Sequence, residues 1–142
     1  LRVPPPTGNQ MARRNGYDAG RLFDPCSNIE YGQSFIEAMR VSGATQGQLP
    51  KIIAAYNAGP LPVSRWSSTL GTGDPLLWIE SIPYWETRYY VPSVLRNLWV
   101  YQGIARAEAP TLSALAQHRW PSFPNSRTNL AAATEVPQPG GE

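Results

Sequence analysis

Pro50-Lys51-Ile52-Ile53-Ala54-Ala55-Tyr56-Asn57-Ala58-Gly59-Pro60 is the stretch that decides the fold. Proline suits the first turn of a helix, where its missing N–H would have no partner anyway, and glycine suits the residue just past the last turn. Between them Ile52, Ile53, Ala55 and Tyr56 belong to an almost wholly apolar run, so the helix it predicts is central and buried, and its small alanines admit close neighbours. Tyr56 can bury its ring while its hydroxyl reaches a cleft, and Asn57 carries both a donor and an acceptor, equipment suited to a sugar amide or hydroxyl. From spacing alone, an Asn before Gly also reads as a plain helix terminus.

Outward from that helix the periodicity stays helical. Toward the N-terminus, Thr7 and Gln10 have the spacing of a capping box and predict a short helix over 8–15 ended by Gly16, after which Leu22 and Phe23 are expected to plug into a core. Ser27 and Glu30 repeat the box ahead of a helix over 28–41, whose Ile29, Gly32, Ile36 and Met39 form the apolar face, with Gly32 allowing a close helix neighbour. Toward the C-terminus, a brief turn through Val63 and Trp66 precedes the Gly71-Thr72-Gly73 loop. Asp74 and Pro75 then form an N-cap and first-turn pair for a short helix ending near Ser81. A long helix follows from Trp85 to about Ala107, kinked by Pro92, and Thr111 is expected to cap a last small helix containing Leu112 and Leu115. No stretch reads as a strand. The expectation is an all-α fold of five to seven helices, with a main domain over 1–107, a short helix over 108–120 and a flexible tail over 121–142.

The bulk properties narrow the function classes. The 142 residues suffice for one modest core. A net charge of +2, from 12 basic and 10 acidic residues, is too small to attract a polyanion, so nucleic acid is not indicated. The lone Cys26 excludes an internal disulfide and has no neighbouring Cys or His with which to hold zinc; it reads as a core-filling thiol, and neither metal nor cofactor is expected. No apolar run approaches the length of a bilayer span. His118 reads as an exposed ring near the tail, and Arg13-Arg14 as a solvated helix face.

A second unusual stretch is Glu80-Ser81-Ile82-Pro83-Tyr84-Trp85-Glu86-Thr87-Arg88-Tyr89-Tyr90-Val91, with two carboxylates, one arginine and four aromatic rings. Rings beside carboxylates suit carbohydrate, because the CH-rich face of a sugar stacks while its hydroxyls take hydrogen bonds. A six-residue gap containing Pro83 does not put Glu80 and Glu86 on one helical face, so the two-carboxylate glycosidase scheme does not follow. Taken by itself the stretch reads equally as a solvated helix N-terminus with an Arg88 ion pair.

Together, AAYNAGP over 54–60 and ESIPYWETRYYV over 80–91 resemble the motif pair of the soluble lytic transglycosylase domain, whose helical fold is similar to goose-type lysozyme. LFDPCSNIEYG over 22–32 resembles the segment before them, with Cys26 at a usually polar position, and the likeness covers roughly residues 3–105. It implies cleavage of the β-1,4 bond between N-acetylmuramic acid and N-acetylglucosamine without water, leaving a 1,6-anhydro sugar. One glutamate acts first as acid and then as base, and it needs an apolar, partly dry cleft to raise its pKa. Val3-Pro4-Pro5-Pro6-Thr7-Gly8 resembles the turn that follows that glutamate, with Arg2 where the family has a glycan-contacting Gln. The catalytic helix is therefore expected ahead of Leu1, with no general acid in the chain, and the chain alone is expected to be inactive. The same resemblance implies that Tyr56 hydrogen-bonds toward the catalytic carboxyl and that Asn57 lies beside it. It implies further that Glu86 contacts glycan in the cleft, that Arg88 buttresses Glu86 through an ion pair, and that Glu80 is structural. Tyr56 and Glu86 are expected to line one sugar-sized groove. The partner implied is the peptidoglycan strand, in the periplasm or cell envelope, with membership of a cell-wall or secretion complex as a further expectation. The alternative is a non-catalytic peptidoglycan-binding or scaffolding module.

Overall fold

A computed structural model describes residues 25–71 and 73–123. The expected helix at 8–15, Leu22, Phe23 and Arg13-Arg14 lie outside them. Six helices run in order: α1 Pro25–Arg40, α2 Leu49–Ala58, α3 Pro60–Thr69, α4 Pro75–Glu80, α5 Trp85–Ile104 and α6 Pro110–Ala116. Among the described residues there is no strand, only one isolated bridge between Gln48 and Ser122, so the all-α expectation holds.

The central helix is α2, which packs against α1, α3 and α5. Every residue from Leu49 to Ala55 is buried, and Ala54 and Ala55 are completely so, which is what small side chains at a helix crossing permit. Around it the core gathers Phe35 and Met39 of α1, Val63 and Trp66 of α3, Trp78 and Ile79 of α4, Ile82, Val91 and Leu95, and Leu115 of α6. The buried stripe of α1 is Ser27, Tyr31, Phe35 and Met39, every fourth residue. That stripe is rotated from the expected one: Ile29 is 62% exposed and Ile36 only packs on the margin. The helix also starts at Pro25, so Ser27 sits inside its first turn rather than capping it, and Cys26 is exposed rather than core-filling.

Gly59 alone joins α2 to α3. Its backbone, at φ 89° and ψ 160°, lies in a region that only glycine occupies freely, and its N–H closes α2 by bonding Ala55 O at 2.9 Å. Where a brief turn was expected, α3 runs ten residues. Pro60 and Pro62 read as breakers, but at the first and third positions of a helix the missing N–H has no partner to lose, so they start it instead. Asp74 caps α4 as expected, accepting from Leu76 N at 2.8 Å, with Pro75 behind it. In α5 the chain stays helical through Pro92.

The C-terminal part departs most from expectation. Ala109, not Thr111, is the N-cap of α6; Thr111 is buried in the first turn, where its hydroxyl accepts from Trp99 Nε1 at 3.0 Å. Residues 121–123, the expected start of a flexible tail, are paired with the turn before α2. Leu49 N donates to Pro121 O at 2.8 Å and Phe123 N to Gly47 O at 2.9 Å, while Pro121 is buried and Phe123 packs on the core. The remaining residues of that stretch lie outside the described ones. His118 is held rather than idle, its Nδ1 lying 2.7 Å from Asp74 Oδ2.

Candidate functional site

The last turn of α2 and the first turn of α5 meet, and one hydrogen bond fixes how. Thr87, buried on the inner face of α5, donates its hydroxyl to Asn57 Oδ1 at 2.6 Å, across thirty residues of sequence. With its carbonyl oxygen held in this way, the Asn57 amide is oriented so that its N–H₂ group remains to donate. Next to this pair opens a groove of about 480 Å³ lined by Asn57, Ala58, Pro83, Tyr84, Trp85, Glu86 and Thr87. Its lining mixes an amide donor, an exposed carboxylate acceptor and aromatic faces. Trp66 meets Tyr84 edge to face, with centroids 5.0 Å apart and planes at 85°, which braces the Tyr84 ring from beneath.

Asn57 and Glu86 thus line the same groove. Tyr56 does not line it. One residue earlier on α2, its side chain turns into a separate cleft of about 180 Å³ walled by Ile36, Leu49, Ile52, Ile53, Tyr90, Val94, Leu98 and Phe123. The expected convergence of Tyr56 with Glu86 is therefore replaced by two depressions flanking the end of α2, a polar one at Asn57 and an apolar one at Tyr56. The physical reason is helical phase: consecutive residues point about 100° apart, so adjacent residues at a helix end serve different surfaces. Phe35 meets the Tyr56 ring edge-on at 5.6 Å and 85°, locking it in place. Burial in this apolar setting raises the pKa of the Tyr56 phenol, and burial together with the neighbouring Tyr56 raises that of Tyr90. Both keep their protons at neutral pH and remain donors.

Arg88 does not pair with Glu86. Its Nε donates to Ile82 O at 2.9 Å, tying α5 to the loop that precedes it. Glu80 is exposed on α4 and lines neither depression. Sequence reasoning missed Thr87 and Tyr90. No local signal marks a threonine that will meet an asparagine thirty positions away, although the Tyr89-Tyr90 pair was visible as an aromatic cluster. Among the described residues no group of three or more His, Cys, Asp or Glu side chains is placed to hold a metal. None of the described helices is long and apolar enough to cross a membrane.

The model of the Transglycosylase SLT domain matches residues 2–79, and the chain belongs to that family. The match includes Tyr56 and Asn57, whereas Glu86 lies beyond its end. Among individual proteins, the chain is 39% identical over 82 residues to the soluble lytic murein transglycosylase of Escherichia coli (strain K12), which covers 56% of this chain and 12% of that protein. It is 38% identical over 77 residues to that of Salmonella typhimurium, covering 54% and 12%. To the putative soluble lytic murein transglycosylase of Haemophilus influenzae it is 34% identical over 106 residues, covering 73% and 17%. The chain therefore spans 12 to 17% of the length of these curated relatives. No solved structure matches it.

Proposed function

We propose that the chain forms the glycan-holding side of a lytic transglycosylase site that cleaves peptidoglycan in the cell envelope, cutting the MurNAc-β-1,4-GlcNAc bond and leaving a 1,6-anhydro sugar. The observation that carries the reading is the pairing, on consecutive residues, of an apolar cleft walled in part by Tyr56 with a polar groove of sugar-binding size. This is the division of labour the reaction needs. A carboxyl over the apolar cleft has its pKa raised by desolvation and starts protonated, able to protonate the leaving oxygen. After transfer the carboxylate takes the Tyr56 hydroxyl as a hydrogen-bond donor while it draws the proton from the muramic 6-hydroxyl. Asn57 and Glu86 meanwhile hold sugar substituents in the polar groove: the Asn57 amide donates to a carbonyl and Glu86 accepts from a hydroxyl or an amide N–H.

The acid itself is not assigned to a described residue. Glu30, Glu37, Glu80, Glu86 and Glu108 are all exposed, outside the apolar, desolvated setting the reaction asks of its general acid. Glu37 is moreover held below its ordinary pKa by the hydrogen bond from Arg40. In this reading the acid and base is a glutamate ahead of Leu1, as the family resemblance implies. The test is digestion of purified sacculi by the longer protein that carries this domain, with mass spectrometry of the released muropeptides. Anhydro ends are expected. Tyr56→Phe should slow their release roughly ten- to a hundredfold, the range a lost charge-assisted hydrogen bond of about 1.5–3 kcal/mol would give. Products with reducing ends only, or an unchanged rate in Tyr56→Phe, would overturn the reading.

A further inference from the structure

The first two turns of α5 present more aromatic surface than the groove uses. Trp85 is 73% exposed and Tyr89 72%, and neither ring meets another ring among the described residues. Rings of this size gain most from burial, so leaving two of them in water on neighbouring turns calls for a ligand that covers them. Residues four apart on a helix stand side by side with Cβ atoms about 5–6 Å apart, so the two rings make one continuous shelf along the helix. The shelf does not stand alone. Trp85 is itself a wall of the groove that holds Asn57 and Glu86, so the shelf begins where the groove ends. A protein partner would find a narrow aromatic strip interrupted by polar groups. An oligosaccharide would find alternating stacking faces and hydrogen-bonding groups along one line, which matches its own alternation of CH-rich faces and hydroxyls.

We propose that Trp85 and Tyr89 form a further glycan subsite, on which the sugar next to the one in the Asn57–Glu86 groove stacks. This rests on the carbohydrate reading of the groove given above, and it assigns the two residues as determinants of glycan length: short ligands occupy the groove alone, and longer ones reach the shelf. No covalent step is involved.

The test uses the 142-residue chain and β-1,4-linked N-acetylglucosamine oligomers of two to six units as probes, followed by calorimetry or by chemical-shift changes of the Trp85 indole N–H. Affinity should rise with length beyond the disaccharide. Tyr89→Ala should lower the affinity for the tetramer about three- to tenfold more than that for the dimer, the size expected when one aromatic contact of about 0.6–1.4 kcal/mol is lost. Tyr89→Phe should restore the tetramer affinity, since stacking needs the ring and not the hydroxyl. The Tyr89 side chain is exposed, so circular dichroism should show both Tyr89 variants folded. Equal loss for dimer and tetramer, or no loss in Tyr89→Ala, would overturn the shelf while leaving the groove standing, provided Asn57→Ala still abolishes binding. If no oligomer binds the wild-type chain at any length, the shelf and the carbohydrate reading of the groove fall together. Concentration-dependent self-association that Tyr89→Ala removes would show the strip to be a contact between copies and would also overturn the proposal.

Discussion

Lys51, the only lysine in the chain, lies on the buried face of α2 and is 6% exposed. Its ammonium sits 4.7 Å from the centroid of the Trp120 ring and 5.8 Å from that of Trp78, and no salt bridge reaches it among the described residues. Two indole faces offset part of the cost of taking an ammonium out of water, at about 0.5–2 kcal/mol each, against a desolvation penalty of several kcal/mol. The penalty wins, and burial lowers the Lys51 pKa from its ordinary 10.5. The sign of the consequence follows. Between the lowered pKa and 10.5 the unfolded chain binds more protons than the folded one, so this group makes stability rise as pH increases through that window. Lys51→Met should remove the rise: denaturant melts at several pH values up to 10.5 should show wild type gaining on the variant at the alkaline end. A difference between the two that stays constant with pH would contradict the reading. At the same scale, the sequence could not reveal whether Cys26 or Thr111 faces in or out, because one residue of error in a helix start rotates every side chain by about 100°.

At the scale of elements, the helices were legible wherever a cap and an apolar period agreed. Asp74-Pro75 located the start of α4 to the residue, and Pro50 with Gly59 bracketed α2. The period of α1 was legible but its phase was not, since Ser27 and Tyr31 rather than Ile29 and Gly32 lie on the buried stripe. Helix α3 shrank in the reading to a single turn because Gly59, Pro60 and Pro62 punctuate a sequence as strongly as a loop does. What the punctuation encodes instead is a one-residue joint. Gly59 must hold φ near 89° with ψ near 160° for α3 to leave α2 at once. An added Cβ would meet only the edge of Pro62 at 4.0 Å, so the cost of Gly59→Ala is conformational rather than steric crowding by neighbours. Strain of about 1–3 kcal/mol is expected for a non-glycine residue there, and denaturant melts should show that loss without a change in m-value. Since Asn57 sits two residues before the joint, glycan affinity should fall with it.

For the molecule as a whole, contacts that span the chain fix where its elements lie: Thr87 with Asn57, Pro121 with Leu49, and His118 with Asp74. These explain why the sequence could nominate Tyr56, Asn57 and Glu86 but not divide them between two depressions, for the division depends on where α5 lands against α2. The last of the contacts is titratable. The hydrogen bond from His118 is the largest reason that the Asp74 carboxyl lies below its ordinary pKa of 3.8. A carboxyl whose folded pKa is depressed supports the fold above the unfolded value, and that support is lost as pH falls through the folded one. Thermal melts of wild type should therefore lose stability as pH drops below about 3.8, the ordinary value for Asp74. In His118→Ala the acid loss should be smaller because there is less to lose. Equal acid sensitivity in the two proteins would show that the pair contributes nothing.

The seating of the C-terminal arm also gives the molecule an optical property. Trp78 belongs to α4 and Trp120 to the arm, and their rings lie 5.7 Å apart at 67°. Indoles so close and so tilted share their excited states, and such coupling splits the ultraviolet dichroism into bands of opposite sign. That split signal exists only while the arm is docked, so an unlabelled sample carries its own gauge of whether residues 117–123 are in place.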